Sequence, residues 1–292
     1  MIMDNEMKRL LFCALIVCCV VACEKRDIAE DLLSVEAGLP SQPTKTALGS
    51  KAGNYWPLFW SAGDCLMLNG VQSTALSAAD AGGATATFKF AGVGGATVWN
   101  YTYCGVAGSD CTVTFPASQS SNGNIAVNTL PMYASSSTPS GSITLSPLGA
   151  VLRFSFTSSS AVTVSRIEVK AIGGESICGD YTIGKSAGLL NGSLAASGNN
   201  RDNILIAAGV ALSSSPSAFC FVLPAGTYAS GFQANITASD GTIMEVWFNT
   251  RSNKTLSAGV LYDFGEAAFV PMGTSVMAVV STENFTVDTV SY

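Results

Sequence analysis

Phe232-Gln233-Ala234-Asn235-Ile236-Thr237-Ala238-Ser239-Asp240-Gly241-Thr242-Ile243-Met244-Glu245-Val246-Trp247-Phe248 is the stretch whose reading decides the fold. Phe232, Ala234, Ile236 and Ala238 alternate with Gln233, Asn235, Thr237 and Ser239. A period of two marks a strand with one buried face. Asp240-Gly241 suits a two-residue turn needing positive φ at both central positions, and Ile243 to Phe248 returns alongside. The same alternation recurs upstream in Ala84 to Phe90, Trp99 to Tyr103, Cys111 to Phe115, Leu152 to Phe156 and Arg166 to Ala171. Cys65 to Leu68 runs into a second hairpin turn, Asn69-Gly70. Phe219 to Leu223 is continuously apolar and stops at Pro224, which reads as a buried strand. The chain is expected to be all-β.

Composition agrees. The chain has 292 residues, of which 12% are charged, about half the usual share of roughly a quarter. That leaves little material for amphipathic helices and much for short strands and tight turns. Seven or so strands per half read as two β-sandwiches in tandem. A serine-rich stretch, Ala134 to Gly141 with Pro139, is expected to separate them. Sandwiches leave edge strands, which invite pairing with another chain unless protected.

A net charge of −6 argues against a nucleic-acid partner, which calls for a basic footprint. The chain has no histidine, so Ser-His-Asp and Cys-His nucleophile systems and imidazole zinc sites are excluded. No cofactor or metal motif appears. Glu168, Glu175 and Asp180 lie near one another in sequence and invite a glycosidase reading. Glu168 falls on the polar face of a strand and Asp180 at a strand start, where solvated charges are ordinary; no enzyme activity is expected. Asp64, after Trp60-Ser61-Ala62-Gly63, reads as a turn former that caps its own backbone.

The N-terminus points outside the cell. Lys8 and Arg9 precede twelve apolar residues, Leu10 to Val21, in the layout of a secretory signal. The run is too short to span a bilayer, which takes about twenty residues. Val20-Val21-Ala22-Cys23 resembles a bacterial lipobox, which implies cleavage before Cys23 and lipid on that residue. Of nine cysteines, Cys13, Cys18 and Cys19 leave with the leader, and Cys65, Cys104, Cys111, Cys178 and Cys220 remain besides Cys23. Cys104 and Cys111 bracket a glycine-containing turn, so a disulfide across a hairpin is a candidate in an exported protein. Glu24 to Pro43 shows no strand period and reads as a tether, with a short helix possible over Ile28 to Val35.

Several stretches taken together resemble the fimbrillin-like lipoproteins of Bacteroidales bacteria. In the first half these are Thr44-Lys45-Thr46, Trp60 to Asp64 with Asn69-Gly70, Phe115 to Gln119 and Pro131 to Ala134. In the second they are Leu148 to Phe156, Ser165 to Ile183 and Leu223 to Tyr228. The resemblance covers roughly Thr44 to Pro271. It implies two transthyretin-like sandwiches, with a leader over 1–22, a tether or pro-segment over 23–43, domains over 44–140 and 141–271, and a tail over 272–292. It further implies an outer-membrane lipoprotein of the cell surface that is a structural or adhesive component of fimbriae. Its partners would be other subunits, joined by strand addition, and host or bacterial surface ligands, with the membrane engaged through the lipid. In such proteins an arginine-specific protease removes the lipidated N-terminal strand. Arg26 and Lys45 are the candidate cleavage positions, Lys45 standing where an arginine is common. Met272 to Tyr292, with strand-like pieces at Val276 to Val280 and Phe285 to Val290, is the candidate donor strand. Asp288-Thr289-Val290 resembles a short O-glycosylation motif, which would place a glycan on Thr289. The rival expectation is a surface lipoprotein that does not polymerise and binds glycan or protein ligands.

Overall fold

The computed structural model describes residues 32–39, 47–48, 58–120, 123, 125, 127–248, 254–272 and 288–291. Every regular element among them is a strand. The first are β1 (Leu33–Gly38), β2 (Ala47–Leu48), β3 (Leu58–Phe59), β4 (Leu66–Leu68), β5 (Val71–Gln72) and β6 (Thr85–Phe90). Next come β7 (Trp99–Tyr103), β8 (Thr112–Phe115), β9 (Ser118–Ser120), β10 (Met132–Ser136), β11 (Ser142–Thr144) and β12 (Ser146–Pro147). Then follow β13 (Gly149–Thr157), β14 (Val162–Ala171), β15 (Cys178–Ser186), β16 (Leu189–Arg201), β17 (Asn203–Leu212) and β18 (Ser217–Pro224). The last are β19 (Gly226–Tyr228), β20 (Phe232–Ala238), β21 (Ile243–Phe248), β22 (Lys254–Leu256), β23 (Val260–Ala268) and β24 (Asp288–Ser291).

Residues from Leu33 onward form one unit, and its buried apolar side chains gather into two clusters. The second cluster lies between a four-stranded sheet, β18-β13-β23-β24, and a five-stranded one, β21-β20-β14-β17-β9. Leu152, Phe154, Phe156, Phe219 and Phe221 meet Ile167, Val169, Ile204, Ile206, Ala234 and Ile236. Phe154 stacks on Phe221 and on Phe264, with ring centroids 5.2 and 4.9 Å apart. Such aromatic pairs add about 0.5–1.5 kcal/mol beyond their buried area.

The first cluster draws on a three-stranded sheet, β11-β1-β6, on a five-stranded sheet, β12-β10-β7-β4-β5, and on β8 and β15. It also takes Val151, Cys220, Val222 and Leu261 from β13, β18 and β23. These alternate with the residues that enter the second cluster, and the register aligns them: Val151 faces Val222 on one side and Leu261 on the other. One sheet is therefore apolar on both faces. That explains why Phe219 to Leu223 has no polar alternation: a strand buried on both sides reads as a continuous run.

Of the two diagnostic turns, Asn69-Gly70 behaves as expected. At Asp240-Gly241 only Gly241 has a positive φ (89°), and the Ala238 N–H donates to the Thr242 carbonyl, so the connection is a three-residue loop, Ser239 to Gly241. Asn69 and Gly70 sit at φ 49° and 83°, and a Cβ on Gly70 would meet the Gly108 backbone at 2.8 Å. Two further expectations are corrected. Leu33 to Gly38, placed within a tether and partly in a helix, is a strand: Val35 and Ala37 are fully buried between two partners, which no helical pairing would allow. The serine-rich stretch is not all loop either, since Ala134 to Ser136 belong to β10 and pair with Trp99 to Tyr101.

Gln119 closes the free edge of β18. Its Nε2 donates to the Val222 carbonyl at 2.8 Å, and the Val222 N–H donates to its Oε1 at 2.9 Å, so one amide stands in for a neighbouring strand. The side chain is only 4% exposed. Gln119→Ala leaves both backbone groups buried without partners, and urea denaturation is expected to show a loss of roughly 2 to 4 kcal/mol. A loss below about 0.5 kcal/mol would contradict the assignment.

Candidate functional site

In an all-β chain, sheet edges and the strands that fill them are where pairing with another chain can occur. The most distinctive such feature is the seat of β1. Leu33 to Gly38 pair antiparallel with Phe90 to Thr85, and Glu36 to Gly38 pair parallel with Ser142 to Thr144. Leu145 N donates to Gly38 O and Leu39 N to Ala84 O, each within 3.0 Å, so both flanks are hydrogen-bonded to the strand's end. Val35, Ala37 and Leu39 face inward, while Ser34 and Glu36 are exposed. Six residues beside a charged segment are too few for this alternation to stand out as a strand period in the sequence.

The floor of the seat is a polar anchor set in aromatic rings. Trp60 Nε1 donates to the Ala37 carbonyl at 3.0 Å. Its ring meets Phe88 and Tyr103 edge-on, with centroids 4.9 and 5.5 Å apart. Tyr103 Oη donates to Asp64 Oδ1 at 2.6 Å, and the Asn128 N–H donates back to Tyr103 Oη at 2.9 Å. The Ser61 N–H donates to Asp64 Oδ2 at 2.6 Å, which is the turn cap expected from the sequence. Asp64 is fully buried, so the carboxylate also serves the core. Burial, then the Cys104 thiol and Asp64 nearby, push the Tyr103 hydroxyl well above its ordinary range.

Three other edges carry a covering or a distortion. In β16 the pairs run Lys185↔Leu190, Ile183↔Leu194, Asp180↔Gly198 and Cys178↔Arg201, so β16 carries extra residues at three bulges against β15. Bulges twist an edge away from regular pairing. β21 receives a backbone bond from Met272 N to Ile243 O at 2.7 Å. The edge of β23 is occupied by the chain's own tail, with Val260 to Asp263 opposite Ser291 to Asp288.

The structure places the remaining candidates as follows. Cys23, Arg26 and Lys45 lie outside the described residues, as does Val276 to Val280. Thr289 is in β24, opposite Tyr262. Cys104 and Cys111 are free thiols. The Thr114 N–H donates to the Cys104 carbonyl and Gly105 bridges Val113, so the ladder sets Cys104 opposite Thr114 rather than Cys111. The hairpin is longer than the spacing suggested, and that offset separates the cysteines. Glu168 accepts from Asn203 Nδ2, Glu175 from the Ala229 N–H, and Asp180 from Thr114 Oγ1 and Asn199 Nδ2; each is held by its own local partners. Among the described residues no group of three His, Cys, Asp or Glu side chains is arranged to hold a metal.

The cysteines offer a test of these environments. Burial pushes the Cys220 thiol up to about 12 and raises Cys178 as well. A raised thiol is protonated and unreactive at pH 8. Alkylation of the folded protein at that pH is expected to label Cys65 and Cys111 well before Cys178 and Cys220, as read by peptide mapping. Equal rates at all four would contradict the two-core packing.

No protein-family model and no curated protein matches the chain. Solved structures do resemble it. An inferred cell adhesion protein from Bacteroides uniformis is 12% identical, covering 81% of this chain and 94% of that one, with a TM-score of 0.44. One from Bacteroides ovatus is 9% identical over 84% of this chain and 97% of that one, with a TM-score of 0.42. The tip fimbrial protein of Porphyromonas gingivalis, truncated at its C-terminus, is 11% identical over 80% and 93%, with a TM-score of 0.37.

Proposed function

We propose that this chain is a cell-surface fimbrial or adhesion protein, anchored in the outer membrane by lipid on Cys23, whose subunits join by strand addition. The observation that carries the reading is the seat of β1. The first described strand is the middle one of its sheet, and it can leave without cutting any other strand from the chain. Its departure would open a slot walled by β6 and β11 and floored by Trp60, Phe88 and Ile143. Burying a Val or Leu side chain in such a slot is worth about 1.5–3 kcal/mol, and an incoming strand would also satisfy two rows of backbone groups.

The position of β1 separates the two candidate cleavage points. It begins after Arg26 and ends before Lys45. Cutting at Arg26 releases the lipid and leaves β1 attached, whereas cutting after Lys45 frees β1. Processing that activates assembly would therefore fall at Lys45 and call for a protease that cuts after lysine rather than arginine. The donor is assigned to the tail, Met272 to Tyr292. In the closed chain Asp288 to Ser291 rest on β23 through four residue pairs, a short pairing to release. A glycan on Thr289 would oppose that transfer. The two clusters support two sandwiches that share one sheet, although Ile143, Leu145 and Leu148, beyond the division expected at Gly141, still pack in the first.

The test compares a chain starting at Glu24 with one starting at Thr46, by size-exclusion chromatography with light scattering. The longer chain is expected to be monomeric and the shorter to self-associate, and deletion of Met272 to Tyr292 from the shorter one is expected to return monomers. A shorter chain that stays monomeric and soluble would overturn the reading.

A further inference from the structure

Asn100, in β7, is 2% exposed, and its side-chain amide is gripped from three directions. Ser135 Oγ donates to Asn100 Oδ1 at 2.5 Å. Asn100 Nδ2 donates to Asp110 Oδ2 at 3.2 Å and to the Gly188 carbonyl at 3.1 Å. From β15, Lys185 Nζ donates to both Asp110 oxygens at 2.7 Å. One carboxylate thus touches both an amine and the nitrogen of a buried amide. The amide is oriented with its carbonyl oxygen already accepting from a hydroxyl.

We propose that Lys185 and Asn100 join in an intramolecular isopeptide bond, with Asp110 carrying the proton, so that β7 and β15 become covalently tied. The roles follow from the contacts. Asp110 takes a proton from Lys185 Nζ, and the neutral amine attacks Asn100 Cγ. Ser135 Oγ supports the charge that develops on Oδ1, as a preorganised donor does for any tetrahedral intermediate. Asp110, already on Nδ2, delivers a proton to it, and the Cγ–Nδ2 bond breaks. The attacking nitrogen still carries a positive charge and gives its second proton to the departing ammonia, so the neutral Nζ–Cγ amide forms, ammonium leaves, and Asp110 ends as the carboxylate it began as. The sum is an ammonium and a carboxamide giving a secondary amide and ammonium ion, with no oxidant, metal or cofactor.

The resting pair is charged. Hydrogen bonding to Asp110 raises the Lys185 amine, and bonds from Lys185 and Asn100 outweigh burial to hold Asp110 low. Proton transfer is therefore the uphill part and makes the reaction slow. Two features offset this. Fixed neighbours react with effective molarities of roughly 10⁵–10⁸ M when well aligned. Loss of ammonia also removes the reverse reaction, so product accumulates in a long-lived protein. The bond would link positions 85 residues apart (185 − 100) and bind the long β15–β16 hairpin to the first-cluster sheet.

Peptide mapping by mass spectrometry of the denatured full chain tests this. Trypsin is expected not to cut after Lys185, so that fragments 90–153 and 171–201 appear as one branched peptide lighter by one ammonia. Lys185→Arg keeps the ion pair, and Asp110→Ala removes the shuttle; both are expected to give separate, unmodified fragments from chains that still melt cooperatively. Normal cleavage after Lys185 with unmodified masses would overturn the proposal. So would an ammonia loss confined to an Asn-Gly pair such as Asn69-Gly70, which marks cyclisation instead. A branch that persists in Asp110→Ala would overturn the role given to Asp110.

Discussion

A sheet with apolar side chains on both faces must be covered on both, and β18-β13-β23 imposes that demand on the rest of the molecule. Leu152, Phe154, Phe219 and Phe221 go one way; Val151, Cys220, Val222 and Leu261 go the other. Each face needs its own layer, which is why two clusters form and why neither half of the chain is self-sufficient at this sheet. Arg153 and Asp263 sit on the first-cluster face, paired across neighbouring strands at 2.5 Å and shielded from solvent to more than two thirds. The cost of removing both charges from water offsets much of the attraction in a partly buried pair of this kind.

The seat of β1 answers a different demand. A terminal strand in the middle of a sheet closes that sheet's backbone bonding, but no later part of the chain depends on it covalently. Here the strand is held from below by Trp60, whose ring is in turn positioned by Phe88 and Tyr103, and Tyr103 by the buried Asp64. Apart from the Trp60 bond to Ala37, the parts of the floor bond to one another. Three further edges are bulged at β16, sealed by Gln119 at β18 and occupied by the tail at β23. Open edges invite pairing with other chains, and these devices limit it.

Much of the architecture was legible because it rests on short-range patterns. The Phe232 to Phe248 hairpin, the Asn69-Gly70 turn and the aromatic alternation of Trp99 to Tyr103 all report a local period of two or a turn geometry. What the sequence concealed depends on long-range placement. Leu33, Val35 and Ala37 alternate, yet only the tertiary context makes them the middle of a sheet rather than part of a tether. The doubly apolar Phe219 to Leu223 was recognisable as buried, but nothing in it says that two cores meet there. Cys104 and Cys111 looked paired because spacing was visible and register was not. Asn100, Asp110, Ser135 and Lys185 carry no motif at all: they are scattered along the chain, and only the hairpin folding back onto β7 gathers them.

The central claim is that β1 can be displaced while the doubly buried sheet stays intact, and native-state hydrogen exchange on the full chain tests it most directly. Amides of Val35 to Gly38 are expected to exchange through a local opening well below the global unfolding free energy, while those of Leu152 to Phe154 and Phe219 to Phe221 exchange only with it. If the β1 amides are as protected as those of β13 and β18, the strand is a fixed part of the core and the account fails.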